Sequence, residues 1–341
     1  MARLPDRFGR PLRNLRLSVT DRCNLRCQYC MPEEDYVWLP KTDILTFEET
    51  MRLVDLFVAE GVDKVRITGG EPLLRAELPK LLRMLATRPA IRDLAMTTNG
   101  VLLDRHAREL RDAGLQRISV SLDTLDPATF QLLTRRDDLE RVLAGIAAAA
   151  AAGFRDTKID TVVIANVNDH ELPALIDYGR SISAEVRFIE YMDVGGATRW
   201  RMDRVVSRNS MLEILGAHYG PIRAIPRQDS APADRFELSD GTTFGIISSV
   251  TQPFCATCDR ARLTADGMWF TCLYARNGTD LRALLRAGAS DPAIRQQLIE
   301  VWAGRSDRGA EVRAGLSQRG ALTGHDSLQR DPHLEMHTRG G

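Results

Sequence analysis

All six cysteines of the 341-residue chain fall into two triplets. Cys23, Cys27 and Cys30 form a Cys-x3-Cys-x2-Cys run, and Cys255-Ala-Thr-Cys258 is completed by Cys272. Zinc in structural sites takes four protein ligands. Neither triplet has an obvious fourth, and the first histidine downstream of Cys30 is His106. Three thiolates can instead hold a cubic four-iron cluster and leave one iron open to another ligand. Two open irons in one chain suggest that one activates a reagent and the other holds a substrate. Zinc stays the alternative.

Two features beside the first triplet belong to the same chemistry. Tyr29 offers an aromatic surface for an adenine. Ile67-Thr-Gly-Gly-Glu-Pro72 carries adjacent glycines, which let a ligand approach the backbone closely. Backbone groups there could hold the ammonium and carboxylate of an amino acid.

The elements that must position these residues alternate. β-like runs at 15–20, 64–68, 93–98, 117–122, 157–164 and 185–190 are separated by helical patterns. Thr46 to Glu49 reads as a capping box opening the first helix, and Gly153 as the stop of an Ala-rich helix over 140–152. Alternating strands and helices imply parallel strands with right-handed crossovers. Six units predict an α/β fold, a partial (β/α)6 barrel; a doubly wound sheet is the alternative. The core spans 1–193. A C-terminal α+β extension over 194–305 carries the second triplet, with hairpins turning at Asp240-Gly241 and Asp266-Gly267. The second hairpin folds Cys272 back beside Cys255 and Cys258. Residues 306–341 are polar, and disorder is expected there.

Period-two alternation puts Arg16, Ser18 and Thr20 on one strand face, and likewise Arg66 and Thr68, Thr97, Ser119 and Ser121, Lys158 and Asp160, and Arg187. The apolar residues between them face the helices. The polar set therefore lines a wet lumen holding four cations, offset mainly by Asp160. Such a lining predicts a polyanion such as a polyphosphate. Arg260 and Arg262 share one face of a strand just after the second cysteine pair. The chain as a whole is neutral, with 46 basic and 46 acidic residues, so bulk charge predicts no nucleic-acid or membrane partner. No apolar run approaches the ~20 residues of a membrane span, and the start lacks the apolar stretch of a signal peptide. The protein is expected in the cytoplasm, where cysteines serve as metal ligands before disulfides.

Together these residues resemble the radical S-adenosylmethionine (SAM) superfamily. Cys23, Cys27, Tyr29 and Cys30 match its cluster loop, and Gly69-Gly70-Glu71 its methionine-binding loop. Segments 17–23, 66–72, 97–100 and 187–192, the second triplet and the terminal Gly340-Gly341 narrow the resemblance to the molybdenum cofactor biosynthesis protein A (MoaA) family. The resemblance implies a lyase, a GTP 3′,8-cyclase, with two [4Fe-4S] clusters. The first, on Cys23, Cys27 and Cys30, binds SAM. The second, on Cys255, Cys258 and Cys272, contacts the guanine of GTP. Tyr29, Gly70, Ser121 and Met192 match SAM-binding positions. Arg16, Arg66, Thr97, Lys158, Arg260, Ala261 and Arg262 match GTP-binding positions. A 5′-deoxyadenosyl radical would take the 3′ hydrogen of GTP, and the sugar radical would attack C8 of the guanine. The implied partners are a flavodoxin or ferredoxin as electron donor, a downstream cyclic pyranopterin monophosphate synthase and a possible homodimer. The flexible Gly-Gly tail would enter the active site, although His337-Thr-Arg339 departs from the family's aliphatic ending. Two rivals stand beside this reading: a radical SAM enzyme that modifies a peptide, and a non-enzymatic zinc or iron–sulfur module.

Overall fold

The structure is a computed structural model that describes residues 3–227 and 229–340. Six strands, β1 (Asn14–Ser18), β2 (Lys64–Thr68), β3 (Asp93–Thr98), β4 (Arg117–Ser121), β5 (Lys158–Val163) and β6 (Glu185–Glu190), pair in parallel in chain order. Helices α1 (Phe47–Ala59), α2 (Leu78–Ala86), α3 (Leu103–Asp112), α4 (Pro127–Thr134), α5 (Leu139–Ala151) and α6 (Leu172–Ser181) make the crossovers. α1 begins where its capping box predicts: Glu49 N–H donates to Thr46 Oγ1 at 3.1 Å, and Thr46 N–H to Glu49 Oε2 at 2.9 Å.

The alternation is realised. Leu15, Leu17, Val65, Ile67, Leu94, Met96, Ile118, Val120 and Ile159 are at most 1% exposed and join the helices' inward residues in one core. Arg16, Arg66, Thr97, Ser119, Ser121, Asp160 and Arg187 line a single cavity on the opposite face. Residues of β1 and β6 can share that cavity only if the sheet curls, so this is an open barrel.

The extension does more than follow the barrel. After α7 (Arg208–Tyr219) come β7 (Arg223–Ile225), β8 (Asp234–Glu237), β9 (Thr243–Ile247), β10 (Arg260–Leu263), β11 (Met268–Phe270) and β12 (Thr279–Asp280). β9 pairs in parallel with β6 and β10 in parallel with β1, which extends the barrel sheet on both edges to twelve strands ending in β12 and β7. Both predicted hairpins form, β8–β9 and β10–β11. α8 (Leu281–Arg286) and α9 (Asp291–Ala303) cover this edge, with Trp302 fully buried.

The expectation of disorder after residue 306 is corrected. α10 (Gly309–Ala314), α11 (His325–Arg330) and α12 (Met336–Arg339) are formed, and His337, Thr338 and Arg339 are at most 2% exposed. The cause is a buried anchor in the loop after β6. The Asp193 carboxylate pairs with Arg313 and Arg319 and accepts from Tyr274 Oη, and its carbonyl accepts from Leu322 N–H at 2.7 Å. A polar, arginine-rich tail therefore has partners inside the protein. Gly341 lies outside the described residues.

Candidate functional site

Both triplets line the same cavity of about 510 Å³, which runs through the barrel: the first lies where β1 and β2 finish, and the second, before β10 and after β11, where β1 and β2 begin. The first sits in the loop after β1. That loop is pinned to the end of α4, where Arg26 and Gln28 donate backbone N–H groups to the Thr134 and Leu133 carbonyls. All six cysteines are free thiols. Burial, then the Glu71 carboxylate, pushes the Cys23 thiol up to about 11, and burial raises Cys27 and Cys30 further. A metal centre would have to displace these protons, which couples its binding to pH. Among the described residues no three His, Cys, Asp or Glu side chains converge as ligands of one ion. Three thiols facing a shared cavity fit a wider, multi-iron unit.

The glycine loop is built against the cysteine loop. Gly70 N–H donates to Thr20 O at 2.9 Å and Glu71 N–H to Arg22 O at 2.7 Å. A Cβ on Gly70 would stand 2.3 Å from that Arg22 oxygen, so the close approach that requires glycine is between two loops of the protein. These two N–H groups are occupied by the cysteine loop and are not available to a ligand. Glu71 is a brace, its carboxylate accepting from Thr98 Oγ1, Leu73 N–H and Asn99 N–H. Burial raises its pKa to about 7. Tyr29 donates its hydroxyl to Asp123 at 2.7 Å, and Asp123 also accepts from Val162 N–H. Burial lifts Asp123 to about 6. Tyr29, Gly70, Ser121 and Met192 all line the cavity.

The second triplet is assembled by the β10–β11 hairpin. Arg262 lies opposite Phe270, so the register, continued two residues, puts Cys272 across from Arg260 and beside Cys258. Burial raises the Cys258 thiol, but Arg260 and Arg305 outweigh it and bring it down to about 6.

Parallel pairing of β10 with β1 sets the cations in a row. Arg262 is in register with Arg16, Arg16 with Arg66, and Arg260 with Asn14. Asp160 faces both Arg16 and Arg66, and Asp93 also faces Arg66. Burial, then Arg262 and Arg66, drives the Arg16 pKa well down. Arg66 donates to Thr97 Oγ1 at 3.1 Å and Ser119 Oγ at 3.2 Å, which explains why Thr97 belongs to the set.

Two predicted residues are placed elsewhere. Ala261 points away from the cavity and is fully buried in the core. Lys158, the first residue of β5, lies at the mouth where the strands begin, donates to Asp156 O at 3.1 Å and lines a second cavity. Arg117 and Arg187 line both cavities and join them. Burial, then Arg187 and Arg117, lowers Lys158 to about 8. Arg117 is held by Asp93 and Arg187 by Glu185. The phase of Ser119 and Ser121 already includes Arg117, so extending the alternation two residues back would have found it.

The tail completes the cavity wall. Arg262 donates to the Gly340 carbonyl at 2.5 Å. Gly340 has φ +71°, and a Cβ there would meet Thr68 Oγ1 at 2.0 Å, so no larger residue fits. Arg339 stacks on Phe270 at 4.1 Å and donates to Leu273 O at 2.7 Å. His337 packs edge-on against Tyr36 and Trp38.

Comparisons with known proteins identify the family. Residues 17–179 match the radical SAM superfamily, and residues 184–311 match Molybdenum Cofactor Synthesis C. The chain is 55% identical over 340 residues to GTP 3′,8-cyclase 3 of Mycobacterium bovis, covering 98% of this chain and 90% of that one. It is 50% identical to the GTP 3′,8-cyclase of Acidothermus cellulolyticus, with 91% and 88% covered. The Staphylococcus haemolyticus GTP 3′,8-cyclase is 42% identical, with 92% and 94% covered. Among solved structures, Streptococcus suis SuiB bound to S-adenosylmethionine superposes with a TM-score of 0.60 at 16% identity, over 90% of this chain and 68% of that one. That likeness speaks to the fold alone.

Proposed function

The chain belongs to the radical SAM superfamily and, within it, to the GTP 3′,8-cyclase family, and from that membership we propose that its cavity converts GTP to 3′,8-cyclo-7,8-dihydro-GTP, the first step of molybdenum cofactor biosynthesis. The observation that carries this reading is the shared cavity: two cysteine triplets open onto one space, and an unbroken row of Arg262, Arg16 and Arg66 lies along its wall.

Cys23, Cys27 and Cys30 would hold one [4Fe-4S] cluster and Cys255, Cys258 and Cys272 the other. When bound, the first cluster with SAM supplies a carbon radical able to take a ribose hydrogen that side-chain bases of pKa about 4–10 cannot remove. The protein's own residues bind, orient and exclude water. Carbonyls of the Gly69-Gly70 loop accept the ammonium of SAM, and Tyr29, Ser121 and Met192 enclose the rest. Tyr29 is held in place by Asp123. Arg16, Arg66 and Arg262 hold the polyphosphate, with Thr97 and Ser119 fixing the Arg66 guanidinium. Arg260 and the second triplet receive the guanine. Lys158, with Arg117 and Arg187, reaches a terminal phosphate from the second cavity. Ala261 contributes through its backbone only. Gly340 accepts from Arg262 and holds its guanidinium in the row, and Met336 and His337 close the wall.

The residues divide as barrel core 1–193, extension 194–305 and tail 306–341. A flavodoxin or ferredoxin class donor would supply electrons, and a downstream synthase would consume the product. Among the described residues no helix is long and apolar enough to cross a membrane; we place the enzyme in the cytoplasm. Anaerobic incubation with SAM, a reductant and GTP tests the reading. It should yield 5′-deoxyadenosine and a cyclised nucleotide together. Deoxyadenosine formed at the same rate without GTP, and no cyclised nucleotide, would refute it.

A further inference from the structure

Behind the second triplet lies a buried ion triad that contacts no part of the cavity's substrate row. Asp6 accepts from Arg10 Nε at 2.6 Å and stands 3.3 Å from Arg305 Nη1, with all three side chains at most 2% exposed. Arg10 donates to the Cys255 carbonyl at 2.9 Å. Arg305 donates to the Cys258 carbonyl at 2.8 Å and aims Nη2 at Cys258 Sγ, 3.5 Å away. The Arg260 guanidinium acts on the same sulfur from the cavity side. Backbone N–H groups of Ala310 and Glu311 face Cys255, that of Arg260 faces Cys258, and those of Gly309 and Tyr274 face Cys272. Three acids lie nearby: Glu311 pairs with Arg308, Asp307 with Thr271 and Arg305, and buried Asp259 accepts from Ser230 Oγ and offsets part of the Arg260 charge.

The first triplet has the opposite surroundings. Glu71 lies by Cys23, Asp123 by Cys27 and Glu335 by Cys30, with Arg26 the cation acting on Cys23. Its sulfurs are faced by the Leu25 and His337 N–H groups, the Tyr29 hydroxyl and the neutral Asn99 amide, 3.8 Å from Cys23. Ionised or protonated, the three carboxyls bring no positive charge.

We propose that Arg10, Arg260 and Arg305, with the N–H groups around Cys255, Cys258 and Cys272, hold the second cluster at a higher reduction potential than the first, so that an electron entering the protein resides at the second site. A reduced cluster carries one more negative charge than the oxidised one. Cations and N–H dipoles in a low-dielectric site stabilise that charge, and hydrogen bonds to the sulfurs raise the potential. Asp6 offsets part of the effect, since it sits between the two buried arginines. Arg10 and Arg305 are positioning residues here; they act through the cysteines and touch no substrate.

The inference rests on both triplets being cluster ligands, and iron content separates the two. About eight irons per reconstituted chain establish the ligands; about four or fewer would remove that premise without touching the potential argument. The test is a redox titration of the full chain without SAM, followed by paramagnetic resonance, with signals assigned by Cys27→Ala and Cys272→Ser. In the wild type the second cluster should titrate at the higher potential. Arg305→Met should lower that midpoint alone, by at least a tenfold change in its oxidised-to-reduced ratio (about 59 mV for one electron). Arg305→Lys should restore most of it, and Asp6→Asn should move it upward. A first cluster that titrates at or above the second in the wild type overturns the proposal, as do variants that shift both clusters equally. If Arg305→Met loses the second cluster, the wild-type order and Asp6→Asn decide.

Discussion

The two cysteine triplets share a cavity but not an environment. The first is a loop braced by neutral and acidic groups: Glu71 ties it to the loop after β3, and Asp123 fixes Tyr29. The second is a hairpin backed by arginines on both sides, Arg260 within the cavity and Arg10 and Arg305 behind it. The chemistry expected of each explains the difference. A site that receives SAM needs an open approach and carbonyl acceptors for an ammonium. A site that receives the base of a polyanionic nucleotide belongs at the end of a cationic row.

The largest expected effect separates the triplets outright. Cys27→Ala should abolish 5′-deoxyadenosine formation. Cys272→Ser should keep it but lose the cyclised nucleotide, each variant falling from about eight to about four irons per chain. Full cyclisation by Cys272→Ser would erase the distinction between the two sites. Next in size is the shared anchor. Asp193→Ala leaves Arg313 and Arg319 without their buried carboxylate and should cost about 3–5 kcal/mol of stability, read as a lowered denaturant midpoint and early proteolysis beyond residue 306.

The cationic row gives a finer contrast. Arg16→Ala should weaken GTP binding by about 1.5–3 kcal/mol, the range for hydrogen bonds to charged groups, with SAM affinity unchanged. Lys158→Ala should weaken it less, because Lys158 lines the second cavity and not the one that holds the arginine row. Equal losses, measured by calorimetry, would put both residues on the same phosphate. The smallest effect is a pH dependence. Burial and its arginine neighbours lower Lys158 to about 8 in the free protein, so its charge is present below pH 8 and lost above. A polyanion favours the protonated form, so GTP affinity should fall as pH rises past about 8, with proton uptake on binding. Lys158→Arg should flatten that slope; an unchanged slope would assign it to another group.

Much of this was legible along the chain because strands report their faces with period two. The polar phase through Arg16, Arg66, Thr97, Ser119 and Asp160 is the cavity wall, and the apolar phase is the core. The capping box of α1, both hairpin turns and the return of Cys272 were readable for the same reason: each is set by neighbours a few residues apart. The tail was misread because its composition is that of a solvated segment, and its partner Asp193 is more than a hundred residues away.

By itself the sequence determined which residues could do chemistry: six thiols in two spacings, a glycine pair and a phase of cations. Tertiary structure decided what those residues face. Parallel pairing of β10 with β1 turned two separate arginine motifs into one row. Loop-on-loop contact spent the Gly70 and Glu71 amides on the protein itself. Burial brought Arg10, Asp6 and Arg305 together behind one triplet and carboxyls behind the other. Charge interactions depend on distance and on exclusion of water, and chain order encodes neither for residues brought together only when the sheet closes around them.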